Sequence, residues 1–429
     1  MVQTTDSTKR YWLILSYRAN IDGSACSQHL DDRLPFFEQQ GITPILLTGP
    51  VGSRFADRLH VQCHSIAPSG IRFEVRHFLR KRFKKRWQFK LVETLLLLPV
   101  FPFYLLEKIL INLESEWSWF FLASLRGIFL CRGYAPEAVY STGGSASAHV
   151  AALIINRWVR LPWVAETQDP LVHDHDWQRG RLVLRIYRRL EKKICIRATS
   201  FVFLTRAAME NTARRTGIDG RGAAIYPGSN PDFFQTGRYH KGTVCHFAHF
   251  GSLAGTRNLV VFFQALYRLV AGDETLRRRI RIDVYGSLDS ASEKEMVRLQ
   301  LADLVVNHGA VARKDALAAM QQADCLLLIQ NTIFFSSETI PSKVYEYLLC
   351  GRPILGLVHH NEELTSMLVD NDHFSVPADD VDAVAEALQR IVTEFIATDF
   401  TRQPCQKIWT VEEAVQQVVV LGRKGELRA

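Results

Sequence analysis

The sequence predicts an α/β protein made of two domains in tandem, each a mostly parallel sheet flanked by helices. Three observations carry this. The chain has 429 residues, more than the roughly 250–300 at which a single core stops growing. Hydrophobic residues make up 47% and charged residues 22%, a globular balance. Short apolar runs alternate with helical periodicity along almost the whole chain, the pattern of βα units.

Taken in order, YWLILSYR (11–18) reads as the first strand, followed by the loop NIDGSA and a helix near 27–40. TPILLTG (43–49) and HVQCHSI (60–66) are the next strands. The sheet resumes at EAVYSTG (137–143), the helix SASAHVAALIINRWV (145–159) and the strand PWVAETQ (162–168). A strongly basic helix near 178–197 leads to SFVFLT (200–205) and AAIYPG (223–228). A Gly-, Pro- and polar-rich stretch, 227–242, marks the boundary. The second sheet is read at 244–251, 281–286, 304–309, 324–330 and 352–358. Its helices fall near 257–271, 291–301, 313–322, 342–350 and 382–397. A last helix, about 410–422, follows a polar gap. These readings divide the chain into an N-terminal domain (1–232), a C-terminal domain (240–405) and a C-terminal segment (406–429) expected to pack back on the first. The default ligand site in tandem α/β domains is a cleft where strand C-termini and helix N-termini converge.

The eight cysteines are scattered, with no C-x-x-C pair and no clustered histidines at metal-ligand spacing. Buried thiols are expected, and no structural zinc or disulfide framework. The N-terminus has only a short apolar run and no small-residue cleavage site, so it reads as a strand rather than a leader. The net charge of +8 suits anionic partners. Much of it lies in RFEVRHFLRKRFKKRWQFK (72–90), where nine residues are Lys or Arg with aromatics interleaved. LVETLLLLPVFPFYLLEKILI (91–111) follows. Its 13 uncharged residues between Glu93 and Glu107 include Pro99 and Pro102, too short and broken a run for the ~20 apolar residues of a bilayer span. The pair fits an interfacial segment near 72–113, basic side chains on anionic headgroups and Leu and Phe below them. A solvated basic helix beside a core helix is the plainer alternative. No nucleic-acid-binding motif accompanies the charge, and no nucleic acid is expected as a partner.

Four stretches could carry chemistry. In SSETIPSKVYEYLLCGRPIL (336–355), Glu338 and Glu346 are separated by seven residues, and Lys343, Glu346, Tyr347 and Cys350 share one helix face. Pro341 suits a helix start and Ser342 its cap. A helix N-terminus with a lysine favours diphosphate, and a carboxylate beside it suits vicinal ribose hydroxyls. On spacing alone, without the flanking residues, two surface glutamates and a capping lysine are the favoured reading. In HFGSLAGTRNLVVFFQAL (249–266), a glycine closes a strand and a helix is expected to open at Arg257 or Asn258, so that phosphate can approach backbone amides. VVNHGAVARKDALAAMQQADCLLLIQ (305–330) is a strand, loop, helix and strand. In the first half, Gly143 and Gly144 lead into the helix that bears His149. Asp174 and Asp176, in HDHDW, have metal-ligand spacing but lie in the first half, and no metal site is assigned.

Together these blocks resemble glycosyltransferase family 4, the group 1 glycosyl transferases of the GT-B fold, in which two Rossmann-like domains face each other across a cleft. IPSKVYEYLLCGRPIL is similar to that family's sugar-nucleotide block. The resemblance implies that Glu338 approaches the donor sugar, Glu346 the donor ribose and Lys343 the diphosphate. Gly251, Ser252 and Arg257 would meet the diphosphate as well, and backbone near Ala310 and Val311 would hold the base. The family commonly has a basic residue where this chain has Ser252, which leaves Arg257 and Lys343 as the cationic pair. His149 would face the cleft as a catalytic residue, with Asp22, Gly23 and Asp169 nearer the acceptor or tying down loops. Asp324 reads as structural.

The activity implied is metal-independent, retaining transfer from a nucleoside-diphosphate sugar to a saccharide acceptor, lipid-linked in the sense of cell-surface polysaccharide synthesis. The nucleotide sugar is a substrate, and no cofactor is expected. The place implied is the cytoplasm, peripheral on the inner face of the membrane. Three other classes compete: a non-hydrolysing sugar-nucleotide epimerase of the same fold, against which the basic–apolar insertion argues; a catalytically dead membrane scaffold, against which the Glu338, Lys343, Glu346 set argues; and a basic nucleic-acid-binding protein, which the salt dependence of any RNA binding would reveal.

Overall fold

The computed structural model describes residues 9–173, 180–218, 220–234, 239–398, 400, 405 and 407–424. The chain forms two compact units. One runs to Tyr226 and resumes at Val411; the other spans Pro227–Thr410.

The first unit is built on seven strands: β1 (Arg10–Ser16), β2 (Ile42–Thr48), β3 (Leu59–Gln62), β4 (Ala138–Ser141), β5 (Trp163–Thr167), β6 (Ser200–Phe203) and β7 (Gly222–Ala224). Their order is β3-β2-β1-β4-β5-β6-β7, every neighbouring pair parallel. The inner strands are near-continuous apolar runs because helices cover both faces. Alternation splits them: Leu13 and Leu15 enter one core, Trp12 and Ile14 the other. The second core is closed by the helix Val411–Lys424, whose Val411, Ala414, Val415, Val418 and Val419 are buried with Trp12, Ile14 and Tyr140. The helix near 27–40 is in fact two, Ala25–Asp31 and Leu34–Gln39. Pro35 sits in the first turn of the second, where its missing N–H costs nothing; within one continuous helix it would remove a bond.

Residues 68–110 form three helices, Pro68–Arg82, Arg86–Leu97 and Phe101–Leu110. The last two meet at 76°, broken where Pro99 and Pro102 fall. Among the described residues no single helix is long and apolar enough to cross a membrane. Only Leu97 is buried in the second helix and nothing in the third. They are tied down by polar groups. Glu107 accepts from the Ser69 amide (2.8 Å) and from the Trp117 indole N–H (2.6 Å), and Arg76 pairs with Glu93 at 2.9 Å.

The second unit carries β8 (Cys245–Phe250), β9 (Ile280–Tyr285), β10 (Val305–Asn307), β11 (Cys325–Ile329), β12 (Ile354–Val358) and β13 (Phe374–Pro377). The order is β10-β9-β8-β11-β12-β13, again all parallel. In both sheets the order reverses beside the first strand, at β1/β4 and β8/β11. That reversal is the topological switch point where doubly wound sheets bind ligands, outside the strand C-termini. The edge strand β13 is absent from the sequence reading. FSVP is half-buried at best and follows a polar turn, so it lacks the apolar run that marks its neighbours.

Candidate donor site

At the β8/β11 switch point of the second unit, two loops and one helix converge. β8 ends in Phe250 and turns sharply at Gly251 (φ +138°). The loop is held by the Gly251 amide on the Tyr285 carbonyl and the Leu253 amide on the Ser287 carbonyl, both 2.9 Å. Gly286 makes this approach possible: a Cβ there would stand 2.1 Å from the Gly251 carbonyl oxygen, and its φ is +149°. Ala254 and Arg257 close a tight turn, and the helix begins at Val260, not at Arg257 or Asn258. The reason is local: the Asn258 carboxamide oxygen accepts from the Val260 amide (3.0 Å) and so occupies a capping role instead of a helical one.

Arg257 is therefore a loop residue. Its guanidinium donates to the Ser252 carbonyl at 2.7 Å, and it has no carboxylate partner among the described residues. Burial pulls its pKa down, the sign of a cation that lacks compensating charge. Ser252 itself is exposed.

Across the switch point lies the helix Lys343–Cys350, with no side chain capping its N-terminus. Tyr347 bolts it in place: its hydroxyl accepts from the Phe250 amide (3.0 Å) and donates to the Leu327 carbonyl (3.4 Å), joining β8 to β11. The helix face predicted from spacing is realised. Lys343 Nζ lies 2.6 Å from Glu346 Oε2, and the other carboxylate oxygen accepts from Arg313 at 3.2 Å. Arg313 in turn lies over the Phe233 ring. Glu338, 5% exposed, ends a short 3-10 turn before this helix. Val311, 39% exposed, lies in the loop between β10 and the helix Arg313–Gln322. Asp324 accepts from the His246 amide at 2.7 Å and from the Tyr239 hydroxyl, which ties strand ends together.

Sequence reasoning missed Arg313, whose contact with Glu346 spans 33 positions. It also missed His249. That ring is buried at the end of β8, its Nδ1 donates to the Leu327 carbonyl (3.0 Å), and burial lowers its pKa to about 4. Gly286 was legible in principle, as a glycine directly after a strand.

In the first unit, His149 is 1% exposed. It is a closed interior residue, with Nδ1 on the Ser141 hydroxyl at 2.9 Å and its pKa lowered to about 4 by burial. The charged centre of this unit is Glu166, which sequence reasoning did not single out. It is fully buried and accepts from Arg33, from His29 (2.6 Å) and from Thr142 (2.9 Å). Burial pushes its carboxyl up, but Arg33 and His29 outweigh that and hold it well below the usual range. Asp22, Gly23 and Asp169 are exposed. Asp174 and Asp176 lie outside the described residues. Among the described residues no group of three or more potential metal ligands occurs.

A conserved-domain comparison agrees with this geometry. Residues 245–394, which include β8, the Arg257 loop and the Lys343 helix, match the family model "Glycosyl transferases group 1". The second unit is a group 1 glycosyltransferase domain. The chain is accordingly a glycosyltransferase, and its two Rossmann-like units are those of the GT-B fold. Solved structures agree on the fold across nearly the whole chain. Sucrose-phosphate synthase from Thermosynechococcus elongatus is similar with a TM-score of 0.64 and 13% identity, over 98% of this chain and 100% of that one. TarM of S. aureus gives 0.63 and 9%, over 96% and 99%. HepE of Anabaena, solved with UDP, gives 0.57 and 14%, over 98% and 99%. No curated protein sequence matches the chain.

Proposed function

We propose that this glycosyltransferase moves a sugar, with retention of configuration and without a metal, from a nucleoside-diphosphate sugar to a saccharide acceptor. The acceptor is lipid-linked, and the reaction belongs to cell-surface polysaccharide synthesis at the inner face of the membrane. The observation that carries the donor reading is the pairing of Arg257, a half-buried cation with no carboxylate, with the Lys343–Glu346–Arg313 cluster across the switch point. Diphosphate at the Gly251 loop would draw Lys343 and Arg257, and Glu346 would accept the ribose hydroxyls. Cations preorganised at the departing diphosphate stabilise the charge that develops as the glycosidic bond breaks. HepE was solved with UDP and with UDP-glucose, which supports a uridine nucleotide as the first to try. The exposed leucines and phenylalanines of residues 91–110 beside nine basic residues support the anionic membrane as a partner.

The test is thermal stabilisation by UDP, GDP, dTDP, CMP and ADP, repeated on Lys343→Ala and Glu346→Ala. Binding to the folded state raises the melting temperature by mass action. One nucleotide should stabilise the wild type and neither variant. Equal stabilisation of all three proteins would remove Lys343 and Glu346 from the site.

A further inference from the structure

The Arg181–Arg197 helix of the first unit is the most basic helix in the chain, and no step of the proposed reaction uses it. Arg181, Arg185, Arg188 and Lys192 recur at i, i+4, i+7 and i+11, one stripe along the helix. With Arg189 they line a groove of about 670 Å³ between this helix and the end of the helix Arg206–Thr216. All five are exposed, and none makes an ion pair or hydrogen bond among the described residues. The one carboxylate in the lining, Glu191, is buried and already answered by Arg215, at 3.1 and 3.2 Å. Among the described residues, the groove therefore holds an excess of positive charge with no other carboxylate in its lining.

One further feature says what fills it. Leu182, Ile186 and Ile196 stand exposed on the outer side of the same helix.

We propose that this groove binds the phosphate groups of an anionic membrane lipid, as a lipid contact additional to the 72–113 segment. Unpaired guanidinium groups grip phosphate by paired N–H bonds, and the neighbouring apolar side chains enter the acyl boundary. The inference extends the membrane reading of the proposed function but rests on different residues.

The experiment is flotation of the full-length protein with vesicles of phosphatidylcholine alone or mixed with phosphatidylglycerol. Three proteins are compared: wild type, a groove triple (Arg185→Gln, Arg188→Gln, Lys192→Gln) and a wedge triple (Trp87→Ser, Leu95→Ser, Phe103→Ser). Circular dichroism melting checks that each folds. The groove triple should bind the anionic vesicles at least about tenfold more weakly than wild type, with little binding to phosphatidylcholine in either case. Loss in the wedge triple alone would overturn the groove and leave the 72–113 contact standing. Loss in the groove triple alone would do the reverse. If inorganic phosphate or pyrophosphate raises the wild-type melting temperature but not the groove triple's, while vesicle binding is equal in both, the groove holds a soluble phosphate and the lipid proposal fails. Loss of binding to a single-stranded RNA oligonucleotide with vesicle binding unchanged would also overturn it.

Discussion

Arg257 and His249 sit within nine residues of each other and lead to opposite kinds of experiment. Arg257 is a cation held half-buried without a carboxylate, so it costs stability in the absence of ligand and gives it back to an anion. Arg257→Ala should leave the melting temperature unchanged or higher, and should lower kcat/KM by roughly 10²–10³, the usual loss when one charge-stabilising group is removed. Steady-state release of nucleoside diphosphate reads it. His249 is neutral and buried. Its folded pKa of about 4 lies below the unfolded value of about 6.5, so the unfolded chain takes up the proton first. Its contribution is present above pH 6.5 and is lost as pH falls through 6.5 toward 4, with about 2 kcal/mol gone between pH 7 and pH 5. Urea unfolding of the second unit at those two pH values should show that loss, and His249→Asn should flatten the difference. His149 makes the same argument in the first unit.

The donor site depends on elements that meet at two glycines. Gly286 has no room for a Cβ, which would fall 2.1 Å from the Gly251 carbonyl oxygen, and its φ of +149° resists any side chain. Gly286→Ala should push the Gly251–Arg257 loop outward and cost roughly 1–3 kcal/mol. The nucleotide-induced melting shift should fall more than the stability itself, because the loop moves before the sheet does. This also shows how far sequence alone reaches. The Glu338–Lys343–Glu346 block was legible because its helix period is local, and the β8 loop because glycine after a strand is a local signal. Arg313 was not, since it reaches Glu346 from 33 positions away. Nor was the closure of His149: a helix pattern does not show that the ring, 1% exposed, meets the Ser141 hydroxyl of β4, which itself accepts from the Trp163 indole N–H of β5. The edge strand β13 escaped for the complementary reason, since a half-buried strand carries no apolar run.

On the scale of the molecule, the chain order and the spatial order differ at one place. The helix Val411–Lys424 follows the second unit in sequence and belongs to the first. It covers Trp12, Ile14, Tyr140 and Val164 with an apolar face, and Gly422 is small because a Cβ there would stand 2.3 Å from the Trp12 ring. Removing residues 411–429 strips that face from one side of the first sheet. Each side chain exposed in this way forfeits on the order of 1.5–3 kcal/mol, so several together exceed the roughly 5–15 kcal/mol that holds a typical domain. The first unit should then melt at markedly lower temperature or fail to fold, while the second, whose core is its own, keeps its transition and its nucleotide-dependent shift. Differential scanning calorimetry of the truncated chain with and without UDP separates the two. A single transition that moves as one with the truncation would mean that the units do not melt independently. A first-unit transition left in place would mean that the helix is an accessory rather than part of the core.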